Sequence, residues 1–128
     1  MVIDTSAVLA ILLGEPEERD MAEAMAGAES RLLSAASLVE IAMVALSRRP
    51  TTLAEIEHQL TSWGVEIAPV SVAQARLAAD GFARFGRGRH PAKLNFGDCF
   101  AYALARERGE PLLFKGDGFA RTDVVRAL

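Results

Sequence analysis

An aspartate set between a strand and a helix constrains this chain more than any other feature. Met1, Val2 and Ile3 have strand character. Ser6 to Leu13 is too long and apolar for a surface loop and reads as a helix. Strand into helix is the opening of a βα unit, which puts Asp4 at the carboxyl edge of a sheet. Open α/β proteins bind their ligands at that edge. Aspartate is also a good helix N-cap, so from this residue alone a structural and a functional role both stand.

The same alternation runs through the rest of the chain. Glu15 to Ala28 reads as an amphipathic helix, Arg31 to Ser34 as a strand, and Ala35 to Arg49 as a helix stopped by Pro50. Thr51 or Thr52 caps a helix from Leu53 to Trp63 that Gly64 ends. Val65 to Val70 is a strand, and Ser71 opens a helix reaching about Phe85. Gly86 to Lys93 is a loop by composition, Asn95 begins a helix that closes near Arg108-Gly109, and Pro111 to Phe114 is a strand. Lys115 to Gly118 is a turn, and Asp123 to Leu128 has the makings of a last short strand. Strands alternating with helices predict a single three-layer α/β/α domain over residues 1–128, on a central, mostly parallel sheet of four to five strands.

Composition narrows the function classes. The chain is 51% hydrophobic and 24% charged, an ordinary globular balance. One cysteine excludes an internal disulfide, and with two histidines it makes a structural zinc site a poor fit. The apolar run near the N-terminus is too short for a membrane span and no basic segment precedes it, so a cytoplasmic protein is expected. A net charge of −3 means that any attraction to nucleic acid must come from a local patch.

Four acids do not read as surface acids. Glu40 has Ala36, Ser37, Met43 and Val44 as its helical neighbours, none of them a base, so its carboxylate needs a partner from elsewhere or snorkels to solvent. Asp98 lies three residues after Asn95, a spacing that suits a capping box as well as a site residue. Asp117, in Lys115-Gly116-Asp117-Gly118, follows a strand as Asp4 does, although turn chemistry alone accounts for it. In a parallel sheet these places can converge on one rim. Clustered carboxylates need a counter-charge, and a set of oxygen donors without His or Cys points to Mg²⁺ or Mn²⁺ and to phosphoester hydrolysis.

Arg84, Arg87, Arg89, His90 and Lys93 fall within ten residues that contain no acid. Such a segment just before Asp98 suits phosphate binding, the bland alternative being a solvated loop. No Walker or GxGxxG motif is present, and Ser6 has no His base in pattern. Phe82, Phe85, Phe96 and Phe100 are expected in the core rather than as platforms for bases.

Together the motifs resemble a known family. Val-Ile-Asp-Thr-Ser-Ala at the start, Ser-Leu-Val-Glu ending at Glu40, Leu-Asn-Phe-Gly-Asp-Cys around Asp98 and Leu-Leu-Phe-Lys-Gly-Asp before Phe119 are similar to PIN-domain ribonucleases, and more narrowly to VapC toxins of VapBC toxin–antitoxin modules. The similarity covers essentially the whole chain, in the family's order. It implies a Mg²⁺- or Mn²⁺-dependent endoribonuclease that acts on RNA, forms a homodimer and is held inactive by a VapB-type antitoxin in a hetero-oligomer. Carried over by motif, Asp4, Glu40 and Asp98 are the core acids and metal ligands, with Asp117 as a fourth acid. Ser6 and Asn95 are supporting polar residues. From its own composition and position, the basic segment with Arg84, Arg87, Arg89 and Lys93 is expected to grip the RNA backbone. Where relatives often carry a second acid in the last turn, this chain has Gly118. The alternative is a PIN-like module that binds a partner and has no catalytic activity. A phosphoacceptor receiver is excluded because the third strand ends without an acid.

Overall fold

The computed structural model describes residues 1–128. Two-residue periodicity in the strands is what organises it. In β1 (Val2–Ile3), β2 (Leu32–Ser34) and β4 (Leu112–Leu113), successive side chains go to opposite faces of the sheet. Val2, Leu32 and Leu112 enter one core with Ala78, Tyr102 and Phe114, whereas Ile3, Leu33 and Leu113 enter the other with Val8, Ile41, Ile56 and Leu60. Both faces are therefore covered, which is why these strands read as apolar runs rather than alternating ones.

The core of Ile3, Leu33 and Leu113 collects α1 (Thr5–Leu12), α2 (Glu18–Ala26), α3 (Ala35–Arg48) and α4 (Leu53–Ser62). The core of Val2, Leu32 and Leu112 collects α5 (Val72–Phe85) and α6 (Phe96–Arg108). The result is three layers around a four-stranded, wholly parallel sheet of order β3-β2-β1-β4, with β3 spanning Glu66–Ala68. Edge strand β3 is shorter than the expected Val65 to Val70, because Pro69 has no N–H to continue the ladder. The expected last strand is reduced to a single bridge between Leu112 and Arg126. Asp123 is occupied instead by Tyr102, Arg84 and Arg106.

The chain leaves β1 for β2 and β3 on one side and returns to place β4 on the other. The carboxyl ends of β1 and β4 thus form the topological switch point, the ligand-binding crevice of open α/β sheets. Asp4 follows β1 there, and Lys115 to Gly118 follow β4.

Helices α5 and α6 pack closely where Gly81 faces Tyr102. A Cβ added at Gly81 would meet the ring at 2.5 Å and 2.7 Å, and Tyr102 is only 1% exposed, with its hydroxyl donated to Asp123. Gly81→Ala gains about 1 kcal/mol of helix propensity but incurs about 1–3 kcal/mol of overpacking. Urea unfolding of this variant should show a net loss of about 1 kcal/mol with an unchanged m value; a gain in stability would contradict this packing.

Candidate functional site at the carboxyl edge of the sheet

Three acids meet at the switch point, each placed by a different element. Asp4 is the N-cap of α1 in extended conformation, and its Oδ2 accepts from the Ser6 amide at 2.9 Å and the Ser6 hydroxyl at 2.6 Å. Asp98 is the third residue of α6 and forms a full capping box with Asn95, each side chain accepting from the other's backbone N–H at 2.9 Å. Glu40, on the second turn of α3, lays its carboxylate against Gly97, where a Cβ would collide with it. The capping and site roles weighed for Asp4 and Asp98 are thus compatible. Capping commits one oxygen of each and leaves the other available.

The electrostatics of the set are unfavourable on their own. Burial pushes the Asp4 carboxyl up to about 6; the Ser6 hydroxyl and amide pull it back, and the charges of Asp98 and Glu40 add to the rise. Asp98 is raised as well, first by burial and further by Glu40, against the Asn95 amide and the Arg87 guanidinium. No three His, Cys, Asp or Glu side chains stand close enough to enclose a bare ion. The donors suit a hydrated hard cation held through one or two carboxylates, the usual mode for Mg²⁺.

Ser6 does more than support Asp4. Its hydroxyl also accepts from the Lys115 N–H at 3.0 Å, linking the turn after β4 to the acid after β1. Lys115 extends that link through its ammonium, 2.5 Å from Glu15 and 3.7 Å from Glu17 in the connection between α1 and α2. Asp117 rides on this turn but is exposed, and its charge is not among those acting on Asp4 or Asp98. The structure brings its turn to the site and leaves the carboxylate at the rim.

The basic residues separate into two groups. Arg87, Arg89, His90 and Lys93 line an open basin of about 570 Å³ next to the acids, and the charge of Arg87 reaches Asp98. The loop is closed at its base by Arg87 N–H to Leu94 O and Leu94 N–H to Phe85 O, and Lys93 takes a left-handed backbone with φ 53°. His90 is internal to the loop, with Nδ1 accepting from the Ala92 N–H and its ring on Phe85. Arg84 lies instead on the last turn of α5, paired with Asp123 at 3.2 Å and Asp80 at 3.6 Å and over the Phe85 ring.

The expectation that all four phenylalanines are core residues is corrected. Phe85 and Phe100 are partly buried, but Phe82 is 39% exposed and Phe96 81%. Phe96 is the first residue of α6, at the helix end beside the Asn95 cap. Gly97 was not singled out from sequence either. A glycine in the first turn of a helix is penalised, and that penalty was the available signal that something packs against it.

A family model for the PIN domain matches residues 1–125. The chain belongs to the PIN-domain family. This PIN domain is similar over its full length to the ribonuclease VapC28 of Mycobacterium tuberculosis, 48% identical over 130 residues that cover 100% of this chain and 98% of that one. It is 46% identical over 127 residues to the ribonuclease VapC of Mycolicibacterium smegmatis, covering 98% of each. Among solved structures it shares its fold with M. tuberculosis VapC20, described as a sarcin-ricin-loop-cleaving toxin (TM-score 0.77, 19% identity, 97% and 95% of the two chains covered). It also shares the fold of a chain from a toxin–antitoxin complex of Klebsiella pneumoniae (TM-score 0.71, 17% identity, 99% and 97% covered).

Because the folded-state value of Asp4 lies above the ordinary 3.8, the folded protein keeps a proton that the unfolded chain has already released. Stability should therefore fall as pH rises through roughly 4 to 6, by on the order of 3 kcal/mol from this group. In chelated buffer, urea unfolding of Asp4→Asn should lack this fall, exceeding wild type at neutral pH and converging with it in acid. Parallel pH profiles for the two proteins would contradict the charge balance described here.

Proposed function

We propose that this PIN domain is a metal-dependent endoribonuclease and the toxin of a toxin–antitoxin pair. The observation that carries the reading is the acidic set itself. Three carboxylates from α1, α3 and α6 are gathered at a ligand-binding edge although the burial of Asp4 and Asp98, with the charge of Glu40 beside them, opposes folding. A partner-binding module without chemistry has no use for such a cost, whereas perturbed carboxyl groups in a cleft are common in active sites. The ribonuclease names of full-length relatives support the same reading.

Bound at this edge, Mg²⁺ or Mn²⁺ supplies Lewis acidity towards a phosphodiester. Asp4 and Asp98, each with one carboxylate oxygen not engaged in capping, would hold the ion. Glu40, seated on Gly97, orients the attacking water and takes its proton at a carboxylate oxygen. Ser6 keeps Asp4 and the Lys115 turn in register, and Asp117 assists from the rim. Arg87, Arg89 and Lys93 grip the RNA backbone, with Arg84 contributing least because Asp80 and Asp123 already engage it. From the resemblance of its motifs to VapC toxins we assign an inhibitory VapB-type antitoxin and a homodimer of this chain, and the toxin–antitoxin complex that shares the fold supports an antitoxin partner. We assign the activity to the cytoplasm, where cellular RNA is available to it; no helix is long and apolar enough to cross a membrane.

Total cellular RNA incubated with the purified protein should give discrete products that require Mg²⁺ or Mn²⁺ and disappear in EDTA. Asp98→Asn keeps an oxygen for the Asn95 amide, so it should fold normally and abolish cleavage, while Ser6→Ala should lower the rate about 10–100-fold through the carboxylate it orients. Undiminished cleavage in EDTA or by Asp98→Asn would overturn the reading.

A further inference from the structure

Phe96, at 81%, is the most exposed large apolar side chain in the molecule. It stands between the Asn95 cap and Gly97, one residue from the glycine on which Glu40 rests and two from Asp98. Its ring meets Phe100 in a T-shaped contact, with centroids 4.9 Å apart and planes at 80°. That contact fixes the ring's orientation, and the exposure leaves at least one face open. Phe82, the other exposed aromatic nearby in sequence, differs because the Arg89 guanidinium lies over it at 5.9 Å. The exposed residues of α3, Val39, Met43 and Leu46, are aliphatic and offer no stacking face.

Sites for single-stranded nucleic acid combine a cationic groove for the backbone with aromatic faces for the bases. Both parts are present at the acidic edge: the Arg87, Arg89 and Lys93 basin, with the charge of Arg87 reaching Asp98, and the ring of Phe96 on the helix that carries Asp98. We propose that Phe96 is a stacking platform for an unpaired nucleobase next to the phosphate presented to Asp4, Glu40 and Asp98. The inference rests on the ribonuclease reading and deepens it by naming a residue that positions the substrate. The contact requires an unpaired base, because a base inside a duplex has no free face to offer. An aromatic face discriminates weakly among bases, so this contact sets strandedness and register rather than a sequence.

The test is fluorescence anisotropy with a fluorescein-labelled, unstructured RNA of about twelve nucleotides, and with its duplex, on the cleavage-dead Asp98→Asn protein. Phe96→Ala in that background should weaken single-strand binding roughly 5- to 100-fold, Phe96→Trp should preserve it, and duplex binding should be weak throughout. The salt dependence separates this role from phosphate contact. Phe96→Ala should leave the slope of log affinity against log salt unchanged, whereas Arg87→Ala should reduce it by about 1. Sedimentation of each variant completes the set, with the same mass expected for all. Single-strand affinity unchanged in Phe96→Ala, while the parent protein binds and wild type cleaves, would overturn the platform and leave the ribonuclease reading intact. A shift to smaller mass in Phe96→Ala would assign the ring to a protein interface and also overturn it. No RNA binding by the parent protein at any salt would remove the ribonuclease reading and this inference with it.

Discussion

Burial of Asp4 beside two further acids is the constraint on which the rest of this molecule depends. Asp4 is 4% exposed and its carboxyl is pushed up to about 6 by burial, with the charges of Asp98 and Glu40 adding to the rise. Left to themselves such side chains turn apart. These do not, because each is fixed by contacts that serve folding. Two are helix caps, and the third is seated on a glycine. Capping offsets part of the strain, and what remains is a standing preference for positive charge at one point on the sheet edge.

The topology explains why that point lies where it does. Strand order β3-β2-β1-β4 separates the ends of β1 and β4 from the crossovers of the other strands, opening the crevice that α6 then borders. The Ser6 hydroxyl closes this crevice from below, donating to Asp4 and accepting from the Lys115 N–H. Lys115 in turn reaches back to Glu15, so the two segments that flank the switch point are tied to each other. Opposite them, the basic loop ends at Leu94, one residue before the cap that positions Asp98. Anchoring the phosphate-binding loop and the acid to the same helix start gives them a fixed relation without any contact between distant parts of the chain.

Much of this was legible in the sequence, for reasons that can be named. Both faces of the sheet are covered, so the strands announce themselves as apolar runs, and the helices carry side-chain caps at Asp4, Ser34, Thr52, Ser71 and Asn95. Glu40 stood out because its own helix offers it no base. Other features were hidden because they depend on what lies across a gap in space. Nothing local distinguishes Arg84, whose partner Asp123 is 39 positions away, from its loop neighbours. Phe96 looks like a core residue by type, and its exposure at the start of α6 depends on what the rest of the fold leaves uncovered there. The last strand failed for a similar reason. Its residues have strand character, but Asp123 commits the start of the tail to Tyr102 and leaves a single bridge to β4.

The central claim, that like charges held together at the sheet edge create a cation site, is tested most directly by titrating the Asp4 side-chain carboxyl with carbon-13 NMR, with and without Mg²⁺. In chelated buffer Asp4 should titrate near 6, and saturating Mg²⁺ should bring it below the ordinary 3.8. A value close to 3.8 that Mg²⁺ does not move would contradict the account.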